Sequence, residues 1–167
     1  MKRDVVGEVV QQWRAECPEL DSAPMAVVGR ILRLAGHLER RANEALKPFE
    51  LAIWGFDVLG ALRRRGKPYS MTPTELMRSV MLSSGAMTNR IDRLEAQGLV
   101  ERRADPDDRR SFQVALTAKG LRAVNEAAVV RFDEAKGAVG SLSATEARQL
   151  ASLLQMMLLD VEDEAEL

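Results

Sequence analysis

Residues 82–120 read LSSGAMTNRIDRLEAQGLVERRADPDDRRSFQVALTAKG, and the changes of periodicity inside them decide how the chain is built. Met87, Ile91 and Leu94 recur at i, i+4 and i+7, so one face of a helix opened by Ser83 and running to about Gln97 is apolar, and Gly98 stops it. LVERR (99–103) then alternates apolar and polar, as does SFQVAL (111–116), with the polar ADPDDRR between them. That pattern predicts two strands of a β-hairpin with a long tip. Asp105, Pro106 and Asp107 suit a chain reversal, because Asp stabilises a tight turn and proline fixes its entry. Thr117 then caps a further helix.

Upstream, MTPTELMRSVMLS (71–83) supplies an N-cap at Thr72, a proline at the first helical position in Pro73, and a capping-box glutamate in Glu75. The helix they start is short and ends near Val80. Two short helices joined by a tight turn, the second followed by a hairpin, make a winged helix-turn-helix. Further helices are predicted over 4–16, from Pro24 to about Lys47, from Ala52 to Arg65, from Thr117 to about Val139, and from a second capping box at Ser143 and Glu146 to about Asp160. Leu150, Leu153, Leu154, Met156, Met157, Leu158, Leu159 and Val161 cover more than one face of that last helix, too much for a helix facing water alone. The fold class expected is therefore mainly α with a small β-hairpin wing, with a dimer built from the N- and C-terminal helices. Residues 1–48 are read as helices contributing to dimerisation, 49–117 as the DNA-binding core, and 118–167 as dimerisation helices.

Charge supports the same division. The 167-residue chain has a formal net charge of −1, yet from Arg63 to Arg122 there are 13 Lys/Arg against 7 Asp/Glu, and elsewhere 11 against 18. A basic middle with acidic flanks places one polyanion-facing surface in the predicted core. No apolar run approaches the roughly 20 residues of a membrane span, and the N-terminus is not read as a signal peptide. With one cysteine and one histidine, neither a disulfide framework nor a metal site is expected, and no nucleophile–base set or phosphate-binding glycine loop is present. The chain is read as a cytoplasmic non-enzyme with no cofactor.

If Met87, Ile91 and Leu94 face the core, the opposite face of the helix holds Gly85, Asn89, Asp92 and Arg93, with Thr88 and Arg90 on its flanks. Small residues, amides and arginines suit a major groove, and Ser83 and Ser84 at the helix N-terminus suit phosphate. Asp92 disfavours DNA unless Arg93 or a wing arginine pairs with it. Arg109 and Arg110 at the hairpin tip are candidates for the narrow, electronegative minor groove, and Asp108 is placed to brace Arg110.

Residues 82–120, with the DPxDRR run followed by a strand and LTxxG, resemble the MarR family of dimeric winged-helix transcription factors, and the family's helix order fits nearly the whole chain. Residues 1–22 resemble the extra N-terminal helix of a branch that includes urate-responsive repressors. The resemblance implies a DNA-binding regulator, a repressor released by a small effector, anionic or aromatic, urate-like or phenolic. It favours Arg110 as the groove-entering wing arginine, gives residues 1–48 a share in a ligand pocket as well as in dimerisation, and assigns effector binding to Trp13, Asp57, Arg90 and Arg102. It also raises redox sensing at Cys17, against which a lone thiol is ordinarily inert. The rival reading is a winged-helix protein-interaction module without DNA binding, which would carry apolar residues on the outer face of helix 83–97.

Overall fold

A computed structural model describes residues 4–80, 84–104 and 111–165, the side chains of 84–86 and 163–165 excepted. The elements are α1 (Val5–Glu16), α2 (Ala23–Leu46), a 3-10 turn (Lys47–Phe49), α3 (Ile53–Arg65), β1 (Ser70–Met71), α4 (Pro73–Val80), α5 (Ser84–Ala96), β2 (Val100–Ala104), β3 (Phe112–Leu116), α6 (Ala118–Ala138) and α7 (Ala144–Ala165). The capping signals act where the sequence puts them. Glu75 accepts from the Thr72 backbone N–H at 2.8 Å, and the Glu75 N–H returns to Thr72 Oγ1 at 3.3 Å. The same reciprocal pair forms between Ser143 and Glu146, and its bonds to Ser143 hold the Glu146 carboxyl below its usual range. Thr117 Oγ1 accepts from the Gly120 N–H at 3.0 Å, which starts α6.

The sheet has three strands in the order β1-β3-β2, all antiparallel, where the sequence pattern predicts a two-stranded hairpin. The added strand is two residues long, Ser70 and Met71 facing Ala115 and Val114, so it is too short to show alternation. α7 continues to Ala165, past the expected end near Asp160, because VEDEA holds no glycine, proline or cap that would stop it.

One core gathers Leu46 from α2, Val58, Leu59 and Leu62 from α3, Leu76 from α4, Met87, Ile91 and Leu94 from α5, Val100, Val114 and Leu116 from the sheet, and Val124 and Ala127 from α6. It fixes α5 and the hairpin against the same scaffold. α7 is the contrast: from Ala144 to Glu162 every residue is exposed except the half-buried Ala147.

Candidate nucleic-acid interface

α5 turns as its periodicity predicts. Met87, Ile91 and Leu94 are buried, which leaves Thr88, Asn89, Asp92 and Arg93 exposed and Arg90 half-buried. Ser84 and Gly85 form the first turn of the helix, with side chains outside the described set. Ser83, Asp108, Arg109 and Arg110 also lie outside the described residues, and the described wing ends at Ala104 and resumes at Ser111.

The acid of this face is compensated from the wing. Arg102 on β2 places its Nη2 2.5 Å from Asp92 Oδ1 and donates through Nη1 to Glu95 Oε2, while its backbone N–H donates to Glu95 Oε1 at 3.1 Å. The Arg102 guanidinium carbon lies 5.2 Å from the centroid of the Phe112 ring. Bonding to Asp92, above all, raises the pKa of Arg102 against the opposing effect of burial. Of the two partners expected for Asp92, the wing arginine takes the role. The engagement of Glu95 has no signal in the sequence, because β2 and α5 are brought side by side only by the turn at Gly98.

Behind the helix lies a second cluster. The Arg90 guanidinium carbon is 5.7 Å from the ring centroid of Trp54 on α3. One turn along α3, Asp57 is exposed as a residue, yet its carboxyl group is crowded enough for desolvation to raise its pKa, opposed by the attraction of Arg131, Arg64 and Arg90. Arg131 on α6 is held at 2.7 Å by Glu134, which also accepts from Arg41 of α2 at 2.9 Å. Asp57 and Arg90 are thus within electrostatic reach of each other, whereas Arg102 is engaged by Asp92 and Glu95. Trp13 is 52% exposed on α1, which packs on α2. Trp54 and Arg131 were not legible as neighbours of this cluster, since the elements carrying them meet only through tertiary packing. A cue for Trp54 was present in its spacing, three residues before Asp57 on one helix face.

His37 is exposed and its Nδ1 is 2.9 Å from Arg40, and no cluster of three metal-binding side chains occurs among the described residues. Among those residues no helix is long and apolar enough to cross a membrane.

Comparison with known proteins agrees with this fold. The model of the MarR family matches residues 55–111, from α3 through the wing. The HTH-type transcriptional regulator PecS of Dickeya dadantii is 34% identical over 149 residues, covering 89% of this chain and 90% of that protein. The multiple antibiotic resistance protein MarR of Escherichia coli is 31% identical over 133 residues, covering 78% and 90%. Among solved structures, a mutant MarR from E. coli complexed with operator DNA superposes with a TM-score of 0.72 at 28% identity, covering 87% of this chain and 97% of that one. BpsR of Bordetella bronchiseptica, whose DNA binding is regulated by 6-hydroxynicotinic acid, superposes at 0.71 and 26% identity, covering 78% and 91%. By its helix order, its winged core and these likenesses, the chain belongs to the MarR family of transcriptional regulators, which are DNA-binding proteins and not enzymes.

Proposed function

We propose that the protein is a cytoplasmic, homodimeric repressor that binds a roughly palindromic operator and leaves it when a small effector binds. The observation that carries the DNA reading is the rotation of α5. With Met87, Ile91 and Leu94 in the core, its outward face is Thr88, Asn89, Asp92 and Arg93, which is polar where an interaction module would be apolar. Two such helices in a dimer would enter successive major grooves about one turn (~10 bp) apart. Ser83, Ser84 and Gly85 would meet phosphate at the helix start, and Arg90 would flank the groove. Arg110, and Arg109 beside it, would enter the minor groove from the wing, with Asp108 bracing Arg110. Replacing Arg110 with Ala is expected to weaken operator binding about tenfold or more in fluorescence anisotropy, within the range of one specific arginine contact. Binding equal to wild type would remove the wing from the interface.

The effector is proposed to be an anionic or aromatic molecule, urate-like or phenolic, held by Trp13, Asp57, Arg90 and Arg102. Support comes from Asp57 and Arg90: an anion competing with Asp57 for Arg90 would pull on the recognition helix itself, and a ligand shifts the equilibrium only by its differential affinity for the two positions. BpsR, with its 6-hydroxynicotinic acid, has a ligand of the same general character. Purine metabolites, phenolic acids and hydroxylated nicotinic acids would be screened by thermal shift and then by competition with DNA. Trp13→Ala is expected to raise the effector concentration needed for half-release by about tenfold or more, the loss of one aromatic anchor, and Asp57→Ala to blunt release by removing the carboxylate from which the effector would take Arg90. Undiminished release would place the pocket elsewhere. Residues 1–48 and 118–167 would supply the dimer platform and 49–117 the DNA-binding core.

A further inference from the structure

α5 carries two carboxylates, Asp92 on its outward face and Glu95 beside it, together with its cations. Arg90 and Arg93 are matched on the helix by Asp92 and Glu95, so the described part of α5 carries no net charge of its own. Beside a phosphate-lined groove an unpaired carboxylate is repelled, and charge balance on the reading helix weakens the counterion-release term that drives association. The correction comes from outside the helix. The edge of β2 turned away from β3 faces α5, and there the Arg102 guanidinium spans both acids while its N–H binds Glu95 again. Phe112, opposite Ala104 on β3, backs the guanidinium from behind.

We propose that Arg102 is a positioning residue for DNA recognition: by neutralising Asp92 and Glu95 together and tying α5 to the wing, it makes the recognition helix present a cationic face at a fixed angle to the hairpin. The reason to assign this beyond ordinary fold stabilisation is exposure. The side chains of Arg102, Asp92 and Glu95 are 30%, 58% and 36% exposed, and ion pairs that open to water contribute little to stability. Their charges remain fully felt by a polyanion that docks on them. The inference rests on the DNA-binding reading, and because Arg102 also belongs to the proposed effector set, DNA affinity is measured with no effector present.

The test uses the full-length protein and a duplex selected from a random pool by the wild-type protein, so that enrichment itself reports on DNA binding. Arg102→Gln removes the compensating charge and is expected to lower affinity for that duplex by about 30-fold, with the gap widening as salt is lowered because the unmasked carboxylates are then less screened. The isosteric triple variant Asp92→Asn, Glu95→Gln, Arg102→Gln removes all three charges and is expected to recover at least about tenfold of the loss, as a pair whose partners are both neutralised leaves no orphan charge. Arg102→Lys, which keeps a charge without the fork, should fall between wild type and Arg102→Gln. The proposal is overturned if Arg102→Gln binds within threefold of wild type, or if Asp92→Asn, Glu95→Gln raises affinity as much with Arg102 in place as it does in Arg102→Gln, since loss of two acids favours a polyanion by itself and only a larger gain without Arg102 shows that Arg102 was masking them. That cycle decides the matter whatever any of its variants does to thermal unfolding.

Discussion

Replacing Gly120 with alanine is expected to destabilise the protein by about 3–5 kcal/mol, a large part of the stability of an ordinary domain. The sign is set by geometry against propensity. In a helix interior the exchange would normally stabilise by about 1 kcal/mol. Here a Cβ on Gly120 would lie 1.9 Å from the Leu99 carbonyl oxygen and 2.8 Å from its carbon. Both are backbone atoms at the entry to β2, and they cannot rotate away. The same carbonyl accepts from the Thr117 N–H at 3.1 Å and is in reach of Thr117 Oγ1 at 3.2 Å, so the first turn of α6 is clamped to the root of the wing. Relief would require α6 to tilt off β2, opening the core at Leu99, Leu116 and Val124. Gly137→Ala, in the last turn of the same helix, is the control: its Cβ would meet only the flexible end of Arg41 at 3.4 Å, so it should change stability by less than about 1 kcal/mol. Urea unfolding of the two variants beside wild type makes the comparison. A loss below about 1 kcal/mol for Gly120→Ala would mean that α6 does not approach Leu99 as closely as described.

That glycine also marks where sequence reading stops. As the last residue of LTAKG it is visible in the pattern, but nothing along the chain says that a carbonyl 21 positions earlier fills the space a side chain would need. Features that rest on neighbours three or four residues apart were legible: the caps at Thr72, Thr117 and Ser143, and the apolar stripe that orients α5. β1 was not, because two residues show no period and its existence depends on β3 having a free edge. The candidate site divides the same way. Asn89 and Arg93 follow from the helical wheel, whereas Trp54 under Arg90, Arg131 near Asp57 and Glu95 on Arg102 arise from elements that meet only in three dimensions.

Charging the C-terminal helix should abolish operator binding more completely than any single contact on α5. Leu154 and Leu158 lie one turn apart on α7 and are 40% and 51% exposed in the single chain, amid Leu150, Leu153, Met157 and Val161. A 22-residue helix with almost all of its described residues in water has its capping box but lacks the packed apolar face from which most helical stability in proteins comes. Val5, Val9 and Trp13 of α1, Val28 and Leu32 of α2, and Phe132 of α6 are similarly exposed, so the unpartnered apolar surface spans both ends of the chain. A second copy is the partner this arrangement calls for, and two-half-site binding makes DNA affinity depend on it. The double variant Leu154→Glu, Leu158→Glu buries two carboxylates in that contact, and burying unpaired charge costs several kcal/mol for each. Light scattering after gel filtration is expected to give the monomer mass, and operator affinity should fall by about a thousandfold, because each α5 then binds without the effective concentration its partner supplied. The winged core should still unfold cooperatively, since Leu59, Leu62, Leu76 and Leu94 are buried within one chain. A variant that stayed dimeric and bound DNA as wild type does would show that α7 is not the joint, and the dimer would then have to be held by α1, α2 and α6.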